Sequence, residues 1–93
     1  MKHINIKIYG DVQGVCFRYY AKEKADKFGL FGFVRNEQDG TVYIEAEGED
    51  DGLNKFLKWC EKGPKFAKVE KVELESGDLS GAFDGFEVMD ITL

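Results

Sequence analysis

The spacing of apolar residues switches between two periods, in an order that leaves few folds open. Ile4, Ile6 and Ile8 alternate with Asn5, Lys7 and Tyr9, a period of two that marks a strand with one buried face. After a glycine-containing break, Phe17, Tyr20, Ala21, Ala25 and Phe28 recur at helical spacing, with Lys22, Glu23, Asp26 and Lys27 on the other side. This spacing predicts a helix that ends near Gly29. Leu30 to Asn36 is a second apolar run, read as a strand, and Asp39-Gly40 marks a hairpin into a third. Over Thr41 to Glu47, Val42, Ile44 and Ala46 point one way, and Tyr43, Glu45 and Glu47 the other. Leu53, Phe56, Leu57 and Cys60 fall at i, i+3, i+4 and i+7, the stripe of a second helix. Acidic Glu49-Asp50-Asp51 suits its start and Gly63-Pro64 its end. The whole acidic run Glu47 to Asp51 reads as packing and a helix cap. Ala67 to Glu75 is a fourth strand whose alternation slips between Val69 and Val72, the sign of a bulge. Ser76 to Gly85 is turn-rich and is expected to be the most mobile segment. Phe86 to Ile91 closes the chain as a short strand.

The order is therefore β-α-β-β-α-β with a small extra strand, an α+β pattern. It fits a ferredoxin-like sandwich: an antiparallel sheet with two helices on one face and a short extra C-terminal strand. Residues 1–93 fit a single domain. The usual strand order of this arrangement is fourth, first, third, second. The first and second strands then run the same way with the third between them. Their ends, at Gly10 and Asn36, fall at the same edge of the sheet, about 10 Å apart, with Thr41 between.

The break after the first strand is itself informative. Gly10-Asp11-Val12-Gln13-Gly14-Val15-Cys16-Phe17-Arg18 runs from a strand into a helix. Its glycines permit a tight turn with backbone N–H groups facing outward. It ends on an arginine at a helix N-terminus, where a positive charge is unfavourable by roughly 0.3–1 kcal/mol. An anion bound in the loop reverses that sign, so the stretch reads as a loop for a small anion, most simply phosphate. Arg18 and Arg35 are the only arginines among thirteen basic residues, and both sit in candidate motifs. Asp11, within the loop, is expected to face solvent.

Two long motifs resemble the acylphosphatase family. The loop matches that family's G-x-V-Q-G-V-x-F-R signature at every fixed position. A second signature appears in register as Gly32-Phe33-Val34-Arg35-Asn36, Gly40-Thr41-Val42 and Gly48. Gly63-Pro64 with Val69 and Val72 looks like the family's exit from its second helix. The resemblance implies hydrolysis of a carboxyl–phosphate anhydride to a carboxylate and inorganic phosphate. It implies phosphate binding by backbone N–H groups of Gln13, Gly14, Val15, Cys16, Phe17 and Arg18, together with the Arg18 guanidinium. It implies that Asn36 orients the attacking water and that Thr41 supports that water or Asn36. No metal, no cofactor and no phosphoenzyme are implied. The partner is a small acyl phosphate, with inorganic phosphate as product and inhibitor.

Composition agrees. An acyl phosphate has a good leaving group, so positioning and charge stabilisation can carry the reaction without a strong base. The single histidine, His3, lies at the far end of the first strand from the loop, and two cysteines make no zinc or disulfide pattern. A net charge of −5 argues against nucleic acid or an acidic membrane as partner. Gly29 to Asn36 superficially resembles an RNA-binding aromatic run, but it ends in Asn36 and lies on the wrong strand. A phosphate-sensing domain without turnover remains a rival reading, and Asn36 favours catalysis over it. No apolar run approaches the roughly 20 residues of a membrane span, and no signal peptide is visible. The expectation is a free-standing, cytoplasmic, monomeric enzyme, as against the related domain inside larger carbamoyl-transfer proteins. Arg35 is expected to be a solvated strand charge, and Trp59 packing.

Overall fold

Alternation in the first strand becomes burial. In the computed structural model, which describes residues 1–89, Ile4, Ile6 and Ile8 are buried on one face of β1 (Lys2–Asp11). Helix α1 (Phe17–Lys27), β2 (Phe31–Asn36), β3 (Val42–Gly48), α2 (Asp50–Lys62), β4 (Lys68–Gly77) and β5 (Phe86–Met89) follow. The strands lie side by side as β4-β1-β3-β2-β5. β1 pairs antiparallel with both β3 and β4, with Ile6 opposite Ile44 on one side and Leu74 on the other. The slip foreseen in β4 is a register shift: Tyr9 pairs with Lys71 and Gly10 with Val69, leaving Glu70 extra.

The sheet is antiparallel over β1 to β4 only. β5 joins the edge of β2 in parallel, with Val34 opposite Val88, so the whole sheet is mixed. The route of the chain explains this. β4 ends beside His3, at the end of the sheet where β2 begins. Residues 78–85 cross to the far edge along that same end, so β5 must run with β2. The expected strand to Ile91 is described as far as Met89, and its last two residues lie outside the described part.

α1 packs on β2 and β5, and α2 on β3 and β4, leaving the other face of the sheet open. The core joins Ile6, Ile8, Val34, Val42 and Ile44 to Phe17, Ala21, Ala25, Leu53, Phe56 and Cys60. Burial of an aliphatic or aromatic side chain contributes about 1.5–3 kcal/mol each, which is why both helical stripes face inward. Tyr20 departs from its expected place in the first stripe: it is 40 % exposed, and the small Ala21 and Ala25 bring the helix close to the sheet instead. α1 ends in a Schellman turn, Gly29 N–H donating to the Asp26 carbonyl (3.2 Å) and Leu30 N–H to that of Ala25 (2.9 Å).

The expectation for Glu47 is corrected, and Ser76 and Gly77 of the turn-rich segment belong to β4. Glu47 caps nothing. It is buried on the open face of the sheet, where its carboxylate accepts from His3 Nδ1 (2.6 Å), Ser80 N (2.8 Å), Ser80 Oγ (2.6 Å) and Gly81 N (3.1 Å). Phe83 stacks on His3 and packs against Phe33. The turn-rich segment is thus strapped across the sheet by a carboxylate. At the start of α2, Glu49 is the capping residue but makes no side-chain cap, and Asp50 and Asp51 act by charge near the helix N-terminus.

Two predictions follow from this architecture. Gly32 has φ of +145°, and a Cβ there would overlap the Glu45 carbonyl oxygen. Gly32→Ala should therefore cost at least about 2 kcal/mol in urea unfolding; an unchanged midpoint would refute the close approach. The strap should also give stability a pH window. Burial opposes charge on His3, but hydrogen bonds to Glu47 and Asn5 outweigh it and raise its pKa above 6.5. Burial likewise opposes charge on Glu47, yet the Ser80, His3 and Gly81 donors lower it from 4.5 to about 2. The His3 contribution is complete below 6.5 and is lost as pH rises through the higher folded value. The Glu47 contribution is complete above 4.5 and is lost as pH falls towards 2. Urea midpoints should be highest between those limits, and Glu47→Gln should flatten the profile.

Candidate active site

The loop between β1 and α1 is pinned at both ends by apolar side chains. Val12 is 1 % exposed and Phe17 is 2 % exposed, while Gly14 and Cys16 between them are open to solvent. Phe17 rests against Trp59, with ring centroids 5.2 Å apart. The loop backbone turns twice into the left-handed region, at Gly14 (φ +74°) and at Cys16 (φ +61°). A non-glycine residue there costs about 1–2 kcal/mol, a strain found most often at functional sites. Alternation of right- and left-handed residues is the geometry that gathers successive N–H groups into an anion-binding concavity.

Cys16 is also the N-cap of α1, and its side chain makes no cap hydrogen bond. The first turn has no acidic residue. The opening N–H groups of a helix have no acceptor within the helix. Together with the helix dipole, this suits the end of α1 to hold an anion.

Arg18 stands in that first turn, half-buried. Its Nη1 donates to the Met89 carbonyl at 2.9 Å, so β5 orients the guanidinium. A carbonyl oxygen at this point also offsets the placement of a cation at a helix N-terminus. Asn36 is the last residue of β2, opposite Val42. Alternation places it on the same face as buried Val34, towards the helices. Gly14, Cys16, Phe17, Arg18 and Asn36 line one cleft of about 530 Å³, with Val12, Tyr19 and Val88 completing its walls. Arg35, on the opposite face, lies over the rings of Phe33 (5.3 Å) and Tyr43 (4.9 Å) and pairs with Glu37. It is a surface charge, as the sequence suggested. Asp11 is exposed.

Three expected site residues do not line the cleft. Val15 packs against the core. Gln13 turns its side chain inward, its Nε2 donating to the carbonyls of Glu37 (2.8 Å) and Thr41 (2.9 Å). Thr41 is buried; its N–H (3.0 Å) and its hydroxyl (2.6 Å) both donate to Asp39 Oδ1. Those two donors, with Lys7 beside them, lower the Asp39 carboxyl to about 2. The Thr41 hydroxyl proton is therefore committed to the turn. Tyr19 and Val88 carried no sequence signal as cleft residues, and Val12 stands only as a fixed position of the loop motif. Val88 enters only through the parallel pairing of β5, which no spacing in the sequence announces. Among the described residues, no three His, Cys, Asp or Glu side chains come together as metal ligands.

Comparison with known proteins shows which family the chain is similar to. The family model described as acylphosphatase matches residues 4–88. An acylphosphatase of Bacillus licheniformis is 45 % identical over 92 residues, covering 99 % of each chain. One of Oceanobacillus iheyensis is 49 % identical over 76 residues, covering 81 % of this chain and 84 % of that one. The crystal structure of acylphosphatase from Bacillus subtilis superposes with a TM-score of 0.92 at 35 % identity, covering 96 % of this chain and 99 % of that one.

Proposed function

We infer the roles of the cleft residues from one premise: this chain belongs to the acylphosphatase family, enzymes that hydrolyse the carboxyl–phosphate bond of acyl phosphates. The observation that carries the assignment is the meeting of Gly14, Cys16, Phe17, Arg18 and Asn36 in one cleft at the N-terminus of α1. The phosphate oxygens lie against the loop N–H groups from Gln13 to Arg18, and the Arg18 guanidinium neutralises their charge. Asn36, an amide that can both donate and accept, holds the attacking water. The water oxygen bonds to phosphorus as the bond to the acyl oxygen breaks. The carboxylate leaves as a weak base, needing no proton from the protein, and both protons of the water end on the phosphate, one on the new P–OH and one moved to a phosphate oxygen.

No residue in this scheme forms a covalent intermediate, and no step requires a metal. Thr41 contributes through its carbonyl, which receives Gln13, and through the turn it holds with Asp39. The protein is further inferred to work as a cytoplasmic monomer on a small-molecule substrate. Cys16 and Cys60 are both free thiols, which fits a reducing compartment. Sedimentation at more than the mass of one chain would overturn the monomer.

Hydrolysis of an aryl acyl phosphate should persist in a chelator, and inorganic phosphate should compete with the substrate. Loss of activity on chelation would overturn the metal-free scheme, and non-competitive or absent inhibition would overturn the anion loop. Arg18→Ala should lower kcat/KM by about 10²–10³-fold and weaken phosphate inhibition. Asn36→Ala should lower kcat by a similar factor with KM and the phosphate inhibition constant little changed. Wild-type rates in both variants would show the site to be elsewhere.

A further inference from the structure

The phosphate loop and Asn36 belong to strands that do not touch. β3 lies between β1 and β2, and its Val42 pairs with Ile8 on one side and Asn36 on the other, so the ladder sets the strands, while the loop beyond Asp11 and the turn beyond Asn36 lie past the last paired residues. The Gln13 side chain reaches from that loop to that turn. The Gln13 amide nitrogen has two hydrogens and uses both, on the carbonyls of Glu37 (2.8 Å) and Thr41 (2.9 Å). Glu37 is the residue directly after Asn36, and Thr41 directly precedes β3.

The acceptors are held ready for this contact. Glu37 N–H donates to the Thr41 carbonyl (2.9 Å) and Gly40 N–H to the Glu37 carbonyl (3.2 Å), which closes the turn. Asp39 takes the Thr41 N–H and hydroxyl and is itself paired with Lys7 of β1 at 3.1 Å. The turn is thus fixed on one side to β1 through Lys7 and on the other to the loop through Gln13. We propose that the Gln13 side chain is a positioning residue, a brace that sets Asn36 against the phosphate loop and so places the attacking water. It rests on the roles given above to Arg18 and Asn36.

The brace acts on one function and not the other. Phosphate binding needs the loop N–H groups and Arg18, which Val12 and Phe17 anchor independently of the turn. Water placement needs loop and turn in register, where a displacement of about 1 Å can cost up to about 10²-fold in rate. The experiment compares kcat, KM and the phosphate inhibition constant for Gln13→Ala, Gln13→Met, Asn36→Ala and the double variant Gln13→Ala/Asn36→Ala. Gln13→Met keeps the volume without the donors and stands in should Gln13→Ala fail to fold; the double variant is then built on it. The expected result is a 10–10²-fold fall in kcat, an inhibition constant within about twofold of wild type, and a double variant no slower than Asn36→Ala alone. Gln13→Glu adds a further readout. Its carboxylate faces two carbonyls with no proton to give, which raises its pKa above the free value of about 4.3, so its rate relative to wild type should recover in part as pH falls through that raised pKa, one proton serving one of the two carbonyls. Unchanged kcat in the Gln13 variants, losses that multiply with that of Asn36→Ala, or a weakened phosphate inhibition would overturn the brace. Wild-type activity in Asn36→Ala would instead overturn the site reading on which it rests.

Discussion

Burial of Phe17 fixes where the site can form. It is the first residue of α1 and sits in the core against Trp59, so the helix can begin at one place only. The N–H groups of that first turn then point out of the fold at the end of the sheet. Val12 holds the other side of the loop in the same way. Between two such anchors, four residues of backbone have little freedom, and the left-handed turns at Gly14 and Cys16 are how the chain closes the distance. The strain at Cys16 is sustained by hydrophobic burial on either side of it. A loop made of polar residues alone would relax.

Much of this was legible in the sequence because burial and periodicity are local signals. The alternation of Ile4, Ile6 and Ile8, the stripe of Leu53, Phe56 and Cys60, and the slip between Val69 and Val72 all became what their spacing implied. Tyr20 misled, since spacing counts positions and not the room left at a helix–sheet contact that Ala21 and Ala25 make close. The cleft was legible in half: the motifs pointed to Arg18 and Asn36, and strand order brought them to one edge. Gln13 was read for its backbone, because a side chain that binds two carbonyls across a gap leaves no mark in the sequence around it. Val88 and the Met89 carbonyl were invisible for the same reason, being set by which edge β5 joins.

The two ends of the sheet are linked through that edge. At one end the Glu47 carboxylate gathers His3, Ser80 and Gly81 on the open face. This holds the crossing segment down, and the crossing delivers β5 to β2. At the other end of β5, the Met89 carbonyl meets Arg18. A buried carboxylate is costly unless its lone pairs are met, and here four donors meet them. The arrangement serves the cleft without touching it.

The strand order also has a consequence for how the chain is made. β1 is synthesised first, yet its neighbours are β3 and β4, which begin at Val42 and Lys68. At about 5–20 residues per second, several seconds pass before the second neighbour exists. For that time the strand carrying Ile4, Ile6 and Ile8 has at least one unpaired edge. The residues that come first in the chain are therefore among the last to find their partners.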